Sequence, residues 1–270
     1  MYINGVVLRT DTGKNYPNTI SRVNAWLGRS SGNDNPFNGY MDEFRIYKTV
    51  LSADDVTALY NAIEPSFPSP QPTAAPTAAP TAVPTAAPTL VPTAVPTVAP
   101  TMFSLDTLSS LTHYYRFDHD DIQGVSVLNY KTNQYDAELV NGATLSSSAG
   151  TFKGGNGALS LVSTGDATTS PYFRITNGIM LGSTGISFAI WFRSISSGTW
   201  ARLFEFGNGA PSDNVLVSVS RYTKLGYEVY KGTDQKYVDT TLNVDDNTWR
   251  HLVSLHYHQQ QLLLLLIHHQ

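Results

Sequence analysis

The chain has 270 residues, a formal net charge of −4 and only 14% charged residues. With a pI of about 5.9 and no basic stripe, it is poorly suited to nucleic acid or an anionic membrane surface. It has no cysteine, which excludes disulfides, thiolate metal sites and cysteine nucleophiles together. The abundance of Gly, Ser, Thr, Asn and Tyr suits an all-β, turn-rich protein.

The chain opens on "YINGVV", in which Asn4-Gly5 sits between apolar β-formers. Both turn positions of a tight hairpin need positive φ, and Asn-Gly supplies them. No signal-peptide pattern precedes this hairpin in the sequence as written. "NAWLGRS" and "GYMDEFRIYKTV" then read as strands. In the second, Phe44 and Ile46 fall on one face, Arg45 and Tyr47 on the other. By the same alternation, Asp42 and Glu43 are expected on opposite faces.

"LSADDVTALYNAI" predicts a helix. Ser52 is a natural N-cap, Asp54 and Asp55 suit the positive first turn, and Leu51 can staple onto Val56. Val56, Leu59, Tyr60 and Ile63 form one apolar stripe. A helix this short must lie on a sheet to persist.

Residues 65–103 are a different material: from Pro72 to Thr101 the motif Pro-Thr-x-x repeats without a charged residue. Dense proline removes backbone donors and favours polyproline II, so a disordered linker is expected. Threonine flanked by Pro and Ala also suits an O-glycosylated stalk, and the two readings are compatible.

Beyond the linker, "HYYRFD", "GALSLV", "YFRIT", "ISFAIWFRS", "ARLFEFG", "NVLVSVS", "GYEVYK" and "WRHLVSLHY" are short strands separated by turn residues, the pattern of a sandwich. Ile186, Phe188, Ile190 and Phe192 share one face, and Trp191 points the other way. The chain closes on "HQQQLLLLLIHHQ" (258–270), whose apolar run is far short of the roughly 20 residues of a membrane helix. This low-complexity tail is expected to be an artefact of the reading frame.

Residues 104–257, from "HYYRFD" to "NTWRHLVSL", resemble the front two thirds of a LamG-like domain of the concanavalin A-like jelly-roll superfamily. Residues 1–64 resemble the final third of such a domain, with "GYMDEFRIY", Leu-Ser and a short helix as the most specific part. The order is inverted relative to the family, so the chain is expected to begin inside one domain of a tandem array and to enter a second. Each piece carries what the other lacks. A single circularly permuted antiparallel sandwich is therefore expected, with the Asn4-Gly5 hairpin beside the "WRHLVSL" strand.

The resemblance implies an extracellular or cell-surface protein that recognises a glycan or a protein, without catalysis or membrane insertion. A purely structural stalk is the alternative, and a remnant polysaccharide-active enzyme a distant third. Glycosidases on this fold alternate paired carboxylates along one strand, whereas Glu205 and Glu228 are isolated. His251 reads as a structural strand residue, and Trp26, Trp191 and Trp249 as core or rim.

Two further sets are weighed as binding residues. Tyr222, Tyr227, Tyr230 and Tyr237 lie on or beside strands that could form an exposed face, where a phenol ring could stack on a sugar. Asp118, Asp120 and Asp121 in "FDHDD", with Asn208, Asp213 and Asn214 in "GNGAPSDNV", supply the hard oxygen ligands that suit Ca²⁺. Asp and Asn are also the default turn residues, so both readings stand.

Overall fold

The computed structural model describes residues 1–11, 16–62, 108–147, 155–181, 184–209, 212–221 and 224–257, and not the side chains of residues 220 and 221. The linker, the C-terminal tail, Ile63 and Tyr222 lie outside the described residues.

The front piece contributes β1 (Tyr2–Ile3), β2 (Val6–Val7), β3 (Ser21–Arg22), β4 (Asn24–Leu27), β5 (Gly39–Tyr47) and helix α1 (Ala53–Asn61). The back piece begins with β6 (Leu111–Tyr115), β7 (Ile122–Gln123), β8 (Ser126–Asn129), β9 (Gln134–Val140), β10 (Thr144–Leu145) and β11 (Leu159–Leu161). It continues with β12 (Tyr172–Ile175), β13 (Ile179–Met180), β14 (Gly185–Ser194) and β15 (Arg202–Gly207). The last strands are β16 (Val215–Arg221), β17 (Lys224–Lys231), β18 (Asp234–Asp239) and β19 (Arg250–Tyr257).

Seventeen of these strands form two large antiparallel sheets, and β3 pairs with β13 apart from them. One has eight strands in the order β10-β11-β5-β14-β19-β1-β2, with β6 also paired to β5. The other has nine, in the order β18-β17-β16-β15-β4-β12-β9-β8-β7. Between them lies a core with Phe44 and Ile46 from one side of the linker and Ile186, Phe188, Ile190 and Phe192 from the other. The Phe188 ring lies 4.8 Å from that of Phe204, which is 5.1 Å from Phe206. This is an antiparallel jelly-roll sandwich, as the alternation predicts.

The front piece is woven into both sheets. β5 pairs with β14, β11 and β6. β4 sits between β15 and β12, and β1 pairs with β19. At the hairpin, Asn4 and Gly5 have φ of 50° and 77°. The Asn4 N–H donates to the His251 carbonyl, and the Asn4 side chain accepts the His251 N–H, both at 2.9 Å. The permuted assembly expected from the order of motifs is the one found.

Helix α1 covers the outer face of the eight-stranded sheet. Val56 and Leu59 pack with Tyr47, Leu111, Ala189 and Val253. Tyr60 stacks on Trp191 at 5.6 Å, and Trp191 lies 4.8 Å from His251. Ser52 closes a capping box with Asp55: its hydroxyl accepts the Asp55 N–H at 3.1 Å, and the Asp55 carboxylate accepts the Ser52 N–H at 2.9 Å.

One expectation is corrected. Asp42 and Glu43 do not face opposite sides, because Glu43 is a bulge residue with φ of 56° and the β5–β14 register shifts there. Asp42 is paired with Trp191, and Glu43 Oε2 accepts the Tyr114 hydroxyl at 2.8 Å and pairs with Arg45 at 2.6 Å. Both carboxylates therefore lie on the helix-covered face.

Candidate functional site

Directly paired residues in an antiparallel sheet project to the same face. In the nine-stranded sheet the register joins Tyr237 to Glu228, Glu228 to Leu216, Leu216 to Glu205 and Glu205 to Trp26. Trp26 is then paired with Arg174, and Arg174 with Glu138. The flanking residues Ala25, Leu27, Phe204, Phe206, Val215, Val217, Tyr227 and Val229 are all core. This row is therefore the sheet's outward face, and it runs across strands from both pieces of the chain.

At its centre is a charged network. Glu205, 1% exposed, accepts at Oε1 from the Ser31 N–H and hydroxyl and from Asn214 Nδ2 at 2.8 Å. Its Oε2 accepts from Arg202 Nε at 3.2 Å. Arg202 also reaches Asp34 at 2.9 Å, whose carboxylate accepts the Ser30 hydroxyl at 2.6 Å. Gly207 makes room for Asn214, since a Cβ there would lie 2.0 Å from the Asn214 side-chain oxygen.

Beside the network is an aromatic pair. Half-buried Trp26 meets Tyr172 edge to face at 6.2 Å, and the Arg29 guanidinium lies 5.2 Å from the Trp26 ring and 4.6 Å from that of Tyr172. A small cleft lined by Arg29, Ser30, Asp34 and Ser170 opens alongside. Flat rings next to fixed donors and acceptors can hold a ligand that has both apolar faces and hydroxyls.

The tyrosines weighed in the sequence divide. Tyr230 and Tyr237 stand on this outward face. The Tyr230 hydroxyl donates to Glu228 at 3.4 Å, and burial, then the Glu228 charge, pushes its pKa up to about 12. Tyr237 is 47% exposed. Tyr227 lies in the core instead, with its hydroxyl 3.3 Å from His256 Nδ1, and burial raises its pKa far above the phenol range.

The two acidic sets stay apart. In the first, Arg116 grips Asp121 at 3.0 and 2.6 Å. Asp118 accepts the Asn156 N–H at 2.6 Å, and exposed Asp120 accepts from the Asn156 side chain at 3.4 Å. In the second, Asp213 accepts from Asn18 at 2.6 Å and from the Gly232 N–H at 2.8 Å. Asn208 exchanges hydrogen bonds with Val23 and Ser21, and Asn214 serves Glu205. The second set flanks β15 and the first adjoins β7, five strands away, or roughly 24 Å at the usual spacing. Among the described residues, no three acids or histidines converge on one point.

In the sequence Trp26 reads only as core or rim, Glu205 and Glu228 only as isolated carboxylates, and Tyr172, Arg29 and Arg202 as ordinary strand and turn residues. Their signal was present. Trp26 sits between Ala25 and Leu27, Glu205 between Phe204 and Phe206, and Glu228 between Tyr227 and Val229. Each is the outward residue of an apolar alternation.

Fold and face together define a lectin-like β-sandwich with a polar, aromatic-bearing outer sheet. The chain belongs to the concanavalin A-like lectin/glucanases superfamily: the Laminin_G_3 family model matches residues 1–57 and 166–263, one part on either side of the linker. No curated protein and no solved structure matches the chain. LamG-like domains generally bind carbohydrates or proteins without catalysis and are commonly extracellular, although the superfamily includes glycosidases. Among the described residues, no helix is long and apolar enough to cross a membrane.

Proposed function

We propose that the outward face of the nine-stranded sheet is a non-catalytic recognition surface for a glycan, in an extracellular or cell-surface protein. The Trp26–Tyr172 pair, set beside the Ser30–Asp34–Arg202–Glu205 network, carries this reading. Stacking surface and fixed polar groups are what a sugar ring needs together. Glu205 and Glu228 share the row, but their carboxylates are held by Arg202, Ser31, Asn214 and Gln235. That supports a structural and ligand-orienting role over acid–base work. The weakly acidic composition supports neither nucleic acid nor an anionic bilayer as partner.

A glycan array probed with the intact chain and with Trp26→Ala tests the reading. Selective binding that falls about tenfold or more in the variant, with the melting temperature monitored in parallel, is the expected result. Protein pull-down with no glycan selectivity would favour a protein ligand, and no ligand of either kind would favour the structural stalk.

A further inference from the structure

We infer that Arg29 is an oxyanion receptor, so that the glycan recognised on this face carries a negatively charged group, a uronate carboxylate first of all. The inference rests on the glycan reading above and adds the ligand's charge to it. β4 ends at Leu27, and Gly28 turns the chain with φ of 82°, where a Cβ would lie 2.4 Å from the Leu161 side chain. That turn sets the Arg29 guanidinium against Trp26 and Tyr172, within cation–π reach of both rings.

Arg29 is one of two ring-stacked arginines, with Arg193, whose Nε is buried without a partner. Arg45 has Glu43, Arg116 has Asp121, Arg174 has Glu138, and Arg250 has Asp246. Arg202 has two carboxylates, and Arg22 has three backbone carbonyls. Arg29 Nε is buried with no partner, and no described carboxylate pairs with this side chain. The nearby acid in the cleft, Asp34, is already compensated by Arg202 and Ser30. A half-buried guanidinium set against two rings, with no carboxylate partner and a cleft beside it, is organised in advance for a planar, bidentate, singly charged acceptor. Arg193 shares both the stacking, on Tyr40 and Trp249, and the unpartnered Nε, but it belongs to β14 in the other sheet and does not line this cleft, so it serves as an internal control.

The test uses the intact chain and uronate-containing oligosaccharides, each offered as the free acid and as its methyl ester, with sulfated oligosaccharides as a separate arm. The free acid is expected to bind at least tenfold more tightly than the ester. Arg29→Gln should remove that preference, Arg29→Lys should restore it only in part, and Arg193→Gln should leave it unchanged. Arg29-dependent binding confined to the sulfated arm would support the receptor and assign it to a sulfate ester. Equal affinity for acid and ester, with no sulfated ligand bound, would overturn the inference while leaving glycan recognition standing. No glycan bound at all would overturn both. The acid-to-ester ratio of the unaltered protein decides the matter even if the Arg29 variants do not fold.

Discussion

Asp118 shows how the charges inside this sandwich make stability depend on pH. Burial is the largest influence on its carboxyl and raises its pKa above 3.8; Asp121 and Glu43 add to this, while the Asn156 N–H and Arg116 oppose it. A carboxyl with a raised folded-state pKa binds its proton more tightly when folded. Its contribution is full below the unfolded value and is lost as pH rises through the folded one. Asp246 runs the other way. Arg250 holds it down to about 2, so its contribution is present above 3.8 and is lost as pH falls towards 2. Asp246 is largely exposed and screened, so Asp118 should dominate. Asp118→Asn is expected to flatten the decline in urea midpoint as pH rises just above 4. An unchanged slope would show that Asp118 titrates alike in both states.

At the level of elements, some features were legible in the sequence and others were not, for a definite reason. Alternation within one strand is local, so the core faces of "ISFAIWFRS" and the outer part of β5 were readable. The cap at Ser52 was readable too, because Ser followed by Asp in the first turn is a local signature. What could not be read was what depends on a neighbouring strand. Glu205 and Glu228 look isolated until β16 places Leu216 between them. Trp26 looks like a core residue until β12 and β15 close around β4. The bulge at Glu43 adds a residue that no period-two reading counts, which is why Asp42 and Glu43 end on one face. The helix gives this scale its test. Ser52→Ala removes the acceptor for the Asp55 N–H, and a loss of about 1 kcal/mol in chemical unfolding is expected. A loss near zero would mean that packing of Val56 and Leu59 alone holds α1 in place.

For the whole molecule, the two pieces are joined in sequence by a Pro-Thr segment but in space by sheet ladders and a shared core. The order of family motifs implies this permutation, because each piece lacks the strands that the other carries. A protease site inserted in the Pro-Thr repeat should therefore allow a cut that leaves the pieces together in native mass spectrometry. The linker supplies an effective concentration on the order of millimolar, so after cutting the melting temperature should depend on protein concentration. Pieces that part immediately at micromolar concentration would mean that the ladders are weaker than their register implies.

The position of β4 couples ligand to architecture. Trp26, Arg29 and Asp34 come from the front piece, while Tyr172, Arg202 and Glu205 come from the back. A ligand spanning them bridges two segments that meet only when the sandwich is complete, so occupancy and assembly are linked quantities. By mass action, ligand at 100 times its Kd adds about 2.7 kcal/mol to any species that alone can bind it. In the cut protein that increment would act as glue, slowing separation of the halves in proportion to saturation. The proposed recognition surface would thus also report on the integrity of the fold that carries it.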